Sequence, residues 1–159
     1  MDWQTGYLWR AIPSLFCSSV NLPPAIYASS ASVGPTDSYD HISLFSSRGP
    51  VTADGSRLLK PEIVAPGQYI MGATPRSPWY QNYWSGTSMA APEVSGAVAL
   101  LWQAKPGLIG NIPRTLSYLT QNATRLTSTQ SCGSYHGSSV PNAVFGYGLL
   151  NILRAVQAP

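Results

Sequence analysis

The segment from Ser88 to Gln103 constrains the fold of this chain more than any other part of the sequence. It follows a glycine at position 86 and is mostly apolar, with Glu93 as its one charged residue. Apolar residues fall on nearly all sides of a helix drawn through it, which is typical of a helix buried on most sides. Pro92 falls in the first turn, where the missing N–H costs little. We therefore expect a buried central helix that begins at Ser88.

Shorter apolar segments lie on both sides of this helix. Brief stretches with β-branched residues, separated by Gly and Pro, come before it, and two further helical patterns follow it. The predicted strands cover 20–33, 42–45, 63–65 and 69–73, and the predicted helices cover 88–103, 113–121 and 148–156. Short strands that alternate with helices predict an α/β fold with a mostly parallel sheet.

Composition argues against several functions. Charged residues make up 9% of the chain, against about 25% in a typical domain. The net charge of +3 is spread thinly, without a basic run, so nucleic-acid binding has no electrostatic support. No apolar stretch approaches the roughly 18 residues that a membrane span needs.

The two cysteines, Cys17 and Cys132, have no His or Cys near them at ligand spacing, so we expect no metal site. They are either a disulfide in an oxidising compartment or two unrelated buried thiols. Both lie in polar, loop-like segments, and for this reason we predict a disulfide in the mature protein. Asn122, in the sequon Asn122-Ala123-Thr124, is a candidate glycosylation site.

The strongest chemical signal is SGTSMAAP, residues 85–92, which places Ser88 at the start of the predicted helix. The free N–H groups and the dipole of a helix N-terminus favour negative charge there. A serine that attacks a carbonyl needs such donors, because its own N–H can bind the developing oxyanion. On helix physics alone, an ordinary N-cap serine remains an alternative.

Four segments occur in the order and at the spacing of a known family. They are NLPPAIY (21–27) with Val33-Gly34, FSSRGP (45–50) followed by KPEIVAPG (60–67), GTSMAAP (86–92) and FGYG (145–148). Together they resemble the C-terminal, serine-bearing portion of the subtilisin-like serine proteases (the subtilase or peptidase S8 family). The resemblance runs from about Cys17 to about Val156. It implies a partial subtilisin-like three-layer fold, no cofactor, a polypeptide substrate and Ser88 as the nucleophile, with its backbone N–H in the oxyanion hole.

The same resemblance implies a catalytic Asp and His upstream of the serine. Residues 1–16 contain no histidine, and Asp2 lacks the family's flanking sequence. We therefore divide the chain into a leader (1–16) without family resemblance and a C-terminal portion of a peptidase domain (17–157). We expect a truncated copy of a serine endopeptidase, inactive on its own. The alternatives are an inert remnant or interaction module, and one half of a split protease completed by a separate chain that carries Asp and His.

Other charged and aromatic residues are weaker candidates. Asp37, Asp40 and His41 have the residue types of a catalytic pair but are better explained as solvated turn residues, and we expect His136 to be exposed in a loop. Arg48 and Glu62 are expected in a structural ion pair or a solvated loop. The aromatic residues 79, 80, 83 and 84 are expected to fix a loop to the core. Full-length relatives are mostly secreted, but residues 1–16 lack the apolar core of a signal peptide.

Overall fold

The computed structural model describes residues 33–52, 55–72 and 84–159. Two strands are followed by three helices: β1 (Val33–Thr36), β2 (Ile63–Pro66), α1 (Thr87–Ala104), α2 (Ile112–Gln121) and α3 (Ile152–Gln157). A short 3₁₀ helix (Pro106–Leu108) connects α1 to α2. None of the helices in these ranges is long and apolar enough to cross a membrane.

The two strands form a parallel pair, in register from Val33 opposite Ile63 to Thr36 opposite Pro66. Leu149 extends the sheet on the other side of β2, since it forms a parallel bridge with Val64. The α/β class with a parallel sheet is therefore confirmed.

The core occupies both faces of β2. Ile63 is 1% exposed and packs with Leu101 of α1, whereas its neighbour Val64 is fully buried and packs with Val144 and Phe145 on the opposite face. Successive side chains of a strand point to opposite faces, and a parallel strand covered on both faces is apolar at consecutive positions. β2 thus explains why the sequence IVA reads as a continuous apolar run.

The prediction that α1 is buried on most sides is wrong. It begins at Thr87, one residue before the predicted start, but only Ala90, Ala97 and Leu101 are buried. These face β1, β2 and α3, whereas the opposite side is exposed and Leu100 retains 52% of its accessible surface. The apolar pattern alone could not reveal this exposure, because small residues such as Ala and Gly fit either environment.

Three predicted elements also differ from the structure. The described part of the strand predicted over 69–73 is not a strand, since it makes one isolated bridge, from Ile70 to Trp84. Residues 42–45 form a turn instead of a strand: Ile42 makes a single bridge to Thr36, and Leu44 is 84% exposed. The last helix begins at Ile152 instead of residue 148, because Leu149 pairs with both Val64 and Thr124. The side chain of Asn151 caps this helix by accepting a hydrogen bond from the N–H of Arg154. The helix predicted over 113–121 is confirmed, and residues 20–32 lie outside the described ranges.

Candidate active site

Ser88 is the second residue of α1, inside the first helical turn. The N-cap is Gly86, in an extended conformation with φ 161° and ψ 163°, and it makes no side-chain capping bond. Ser88 is therefore not an N-cap, so this alternative explanation of the serine is wrong.

Ser88 is exposed, and within the described ranges neither its N–H nor its hydroxyl donates or accepts a hydrogen bond. A first-turn N–H has no intrahelical acceptor, and it adds to the positive end of the helix dipole. The geometry therefore presents a hydroxyl and a free donor at the same point, which is what a nucleophile needs when an oxyanion forms beside it.

The turn before Ser88 packs tightly against the segment that follows β2. The Gly86 N–H donates to the Gly67 carbonyl at 2.8 Å. A Cβ at Gly67 would lie 2.5 Å from the Pro35 Cβ and 3.0 Å from the Ala90 Cβ, so no larger residue fits there without displacement. Gly67 therefore lets the start of α1 approach the carboxyl end of both strands. That edge of a parallel sheet is where α/β proteins place their ligands.

His41 and Asp37 form a local pair that makes no bond to Ser88. His41 Nδ1 lies 3.4 Å from Asp37 Oδ2, and the His41 side chain is 78% exposed. Asp37 Oδ1 accepts the N–H groups of Tyr39 and His41, each at 2.9 Å, which closes a turn. Desolvation alone would raise the pKa of Asp37, but these two hydrogen bonds and the nearby His41 outweigh it and lower the pKa. The pair thus has a structural explanation.

The remaining acid–base candidates are also separate from the serine. His136 and Glu93 are exposed, and neither forms a hydrogen bond to Ser88 within the described residues. No group in that part of the chain is therefore hydrogen-bonded to the hydroxyl as an acceptor of its proton.

Comparison with known proteins gives the family of this chain. The sequence profile of the subtilase family (peptidase S8) matches residues 18–148. The chain belongs to the subtilase family.

Individual relatives agree with this assignment. This subtilase chain is 38% identical over 135 residues to bacillopeptidase F of Bacillus subtilis, covering 85% of the chain and 9% of the relative. It is 37% identical over 132 residues to the subtilisin-like protease SBT1.6 of Arabidopsis thaliana, covering 73% of the chain and 16% of the relative. Among solved structures it is similar to the Clostridium perfringens CspB protease, with a TM-score of 0.58 and 35% identity, covering 84% of the chain and 27% of that protein. The chain thus spans less than a third of the length of each of these proteins.

Arg48 has a different environment in this subtilase chain from the one its sequence predicts. It is 4% exposed and donates to the carbonyl of Ser43 at 3.4 Å, to the carbonyl of Ser46 and to Gln130 Oε1 at 3.1 Å. No carboxylate pairs with it in the described ranges, so neither the ion pair nor the solvated loop is correct. Burial lowers the pKa of Arg48 because desolvation disfavours its charged form.

Glu62 does form a structural ion pair, with Lys60. Of the aromatic candidates, Trp84 is described: it is 47% exposed and pairs through its backbone with Ile70. Tyr80, Tyr83 and Trp79 lie outside the described residues.

The covalent-modification sites have partial structural support. Cys132 is 3% exposed and disulfide-bonded, whereas Cys17 lies outside the described residues, so the pairing of the two stays a prediction. Asn122 is half-buried at the end of α2, and its Nδ2 donates to the Tyr118 carbonyl at 2.8 Å. A glycan would replace one of the two hydrogens on that nitrogen and leave the other for this bond, and glycosylation also stays a prediction.

Sequence reasoning missed two residues that hold the serine-bearing turn. Gly67 was visible only as the end of a family motif, although its close contacts with Pro35 and Ala90 require a glycine. Ser85 was visible only as the residue before that turn, although its hydroxyl accepts the Tyr69 N–H at 3.0 Å. Both contacts join segments far apart in sequence, so no local signal indicates them.

Proposed function

We propose that this chain carries the nucleophile and one oxyanion donor of a subtilisin-like serine endopeptidase. Ser88 is the nucleophile and its backbone N–H is the donor. The observation that carries this proposal is the exposed Ser88 in the first turn of α1, inside the segment that matches the family, with no hydrogen bond to its N–H or hydroxyl from the described residues. The general base and the carboxylate that orients it are supplied by polypeptide outside these 159 residues.

The chemistry assigns one role to each group. The Ser88 Oγ forms a bond to the carbonyl carbon of the scissile peptide, while a histidine elsewhere accepts the hydroxyl proton. The carbonyl oxygen becomes an oxyanion, which the Ser88 N–H binds. The histidine then protonates the leaving amine as the C–N bond breaks, and water hydrolyses the acyl-enzyme. Of these groups, Ser88 provides two: its hydroxyl is the nucleophile and its N–H is the oxyanion donor.

The test begins with the transcript upstream of Met1, which we expect to contain an in-frame Asp and His. The extended protein should hydrolyse casein, and Ser88→Ala should abolish this activity, since loss of the serine or histidine in subtilisin lowers turnover by about 10⁶. Ser95→Ala is the matched control, because Ser95 is exposed on the same helix and its hydroxyl donates to the Ala91 carbonyl. Casein hydrolysis that survives Ser88→Ala contradicts the assignment.

An inert module is the second candidate. The observation that favours it is the lack of a proton acceptor hydrogen-bonded to Ser88 in the described part of the chain. A transcript without an in-frame Asp and His, together with a chain that does not hydrolyse casein, would support the inert module. Activity that returns only when a separate Asp- and His-bearing chain is added would support a split protease instead.

A further inference from the structure

Three interactions hold the backbone before Ser88 against the segment after β2. Trp84 and Ile70 exchange two backbone hydrogen bonds, of 2.8 and 3.0 Å, and the Gly86 N–H donates to the Gly67 carbonyl at 2.8 Å. Between these backbone bonds, the Tyr69 N–H donates to the Ser85 Oγ at 3.0 Å. The middle interaction is thus the one that depends on a side chain.

Tyr69 has a conformation that directs its N–H toward this side chain. Its φ is +58°, in the left-handed region where a non-glycine residue is strained. The neighbours on both sides are fixed: Gln68 donates its N–H to Thr36 O at 3.2 Å and accepts the Ser43 hydroxyl at 2.7 Å, while Ile70 is paired with Trp84. Such strain persists only where the surroundings over-determine it, and here they fix the direction of the Tyr69 N–H.

We propose that Ser85 is a positioning residue for Ser88, acting through its hydrogen bond with Tyr69. This inference rests on the proposed function of Ser88. Ser85 immediately precedes the N-cap Gly86, so its anchoring sets the direction in which the chain enters α1. The N–H groups of the first turn, including that of Ser88, take their orientation from this direction. Losing the bond releases the turn between its two backbone anchors and disperses these donors.

The test measures the field at position 88 without needing catalysis. A thiol introduced by Ser88→Cys would lie at the positive end of α1, where its thiolate is stabilised and its pKa falls below that of a free thiol. The rate of alkylation against pH gives this pKa, after subtraction of the rate for the parent chain. The series compares Ser88→Cys alone with the same variant carrying Ser85→Ala, Ser85→Thr or Ser95→Ala.

We expect Ser85→Ala to raise the thiol pKa and lower the thiolate fraction at pH 7 by roughly threefold. Ser85→Thr retains a hydroxyl acceptor and should restore the original value. The Ser95→Ala control should leave the pKa unchanged, since that hydroxyl bonds within its own helix. An unchanged pKa in Ser85→Ala, or an equal shift in the control, overturns the proposal.

Amide exchange provides a second measurement. Ser85→Ala should speed exchange at Tyr69 and Gly86 by about fivefold, the value of one net hydrogen bond, and leave the core amides of Ala97 and Leu101 unchanged. Uniform acceleration at all four amides would mean general destabilisation and would overturn a positioning role. Neither readout depends on peptide hydrolysis, so failure of the proposed function and failure of this inference are distinguishable.

Discussion

At the scale of single residues, Arg48 places a cation in the interior, with backbone carbonyls and an amide oxygen as its partners. Its guanidinium joins the turn at Ser43 and Ser46 to Gln130, which is more than 80 residues away in sequence. A guanidinium donates from several positions in a fixed plane, whereas an ammonium on a flexible stem does not reproduce this geometry. Arg48 therefore fixes the loop after β1 to the segment that contains Cys132.

We predict that Arg48→Lys lowers the free energy of unfolding by about 2 kcal/mol, because two or more buried acceptors lose their donor. Chemical denaturation measures this change. Arg57→Lys is the control, since Arg57 is exposed, and its effect should stay within about 0.5 kcal/mol. Equal effects of the two substitutions would show that the buried hydrogen bonds of Arg48 do not contribute.

A second residue-scale prediction concerns Asp37 and acid. Because the folded pKa of Asp37 is lowered from 3.8, its charge stabilises the fold above that value, and this contribution is lost as the pH falls through the lowered pKa. Asp37→Asn keeps an acceptor oxygen but removes the charge. The difference in unfolding free energy between the parent and Asp37→Asn should therefore shrink below about pH 3.8. A difference that is constant from pH 7 to pH 2 would contradict the lowered pKa.

The roles of Ser88, Arg48 and Ser85 can be predicted from the sequence to different extents. Ser88 carries its own signal, since a serine after Gly86 and before an apolar run is a local pattern. Arg48 and Ser85 act through partners far along the chain, and nothing near them in sequence indicates Gln130 or Tyr69 as those partners.

At the scale of elements, α1 is predicted well as a helix and poorly as a buried one. Its limits agree within a residue, because a long apolar run with Pro92 in the first turn defines it locally. Its burial depends on what packs against it, and the small residues of the exposed side give no signal for this. β2 shows the opposite case: its bulky residues Ile63 and Val64 indicate burial on both faces, which is what the structure has.

Alanine substitution at two glycines, one packed against the start of α1 and one inside it, should change the free energy of unfolding in opposite directions. Gly67→Ala places a Cβ within 2.5 Å of Pro35 and 3.0 Å of Ala90, and should destabilise the chain by about 2 kcal/mol through overpacking. Gly96→Ala meets nothing within 4 Å and lies inside the helix, so it should stabilise by about 1 kcal/mol. Thermal or chemical unfolding gives both values. Destabilisation by Gly96→Ala would contradict the exposed face of α1.

At the scale of the whole molecule, apolar surface is exposed among the described residues where α1 meets α3. A groove of about 430 Å³ there is lined mainly by Leu100, Ala104, Ile152, Leu153 and Val156, and Leu153 is 63% exposed. With 9% charged residues, the rest of the surface provides little repulsion against association. We therefore expect the isolated chain to be poorly soluble or loosely packed.

The corresponding prediction uses a dye that fluoresces on apolar surface. The isolated chain should bind the dye when cold, and Leu100→Gln with Leu153→Gln should reduce the signal by about half or more, because both residues border the groove. Leu44→Gln is the control, since Leu44 is also exposed (84%) but lies in a turn after β1 and does not line the groove. A sharp unfolding transition without dye binding when cold would show a self-sufficient domain and would favour the inert-module reading.

We propose that Ser88 is a protease nucleophile whose general base lies outside this chain. The most direct test is the mass of residues 1–159 and of the upstream-extended protein after treatment with a fluorophosphonate, which labels activated serines. We predict that the extended protein gains one label, that Ser88→Ala prevents it, and that the isolated chain is labelled no faster than its own Ser88→Ala variant. Rapid labelling of the isolated chain at Ser88, or labelling of the extended protein at another serine, would contradict the account.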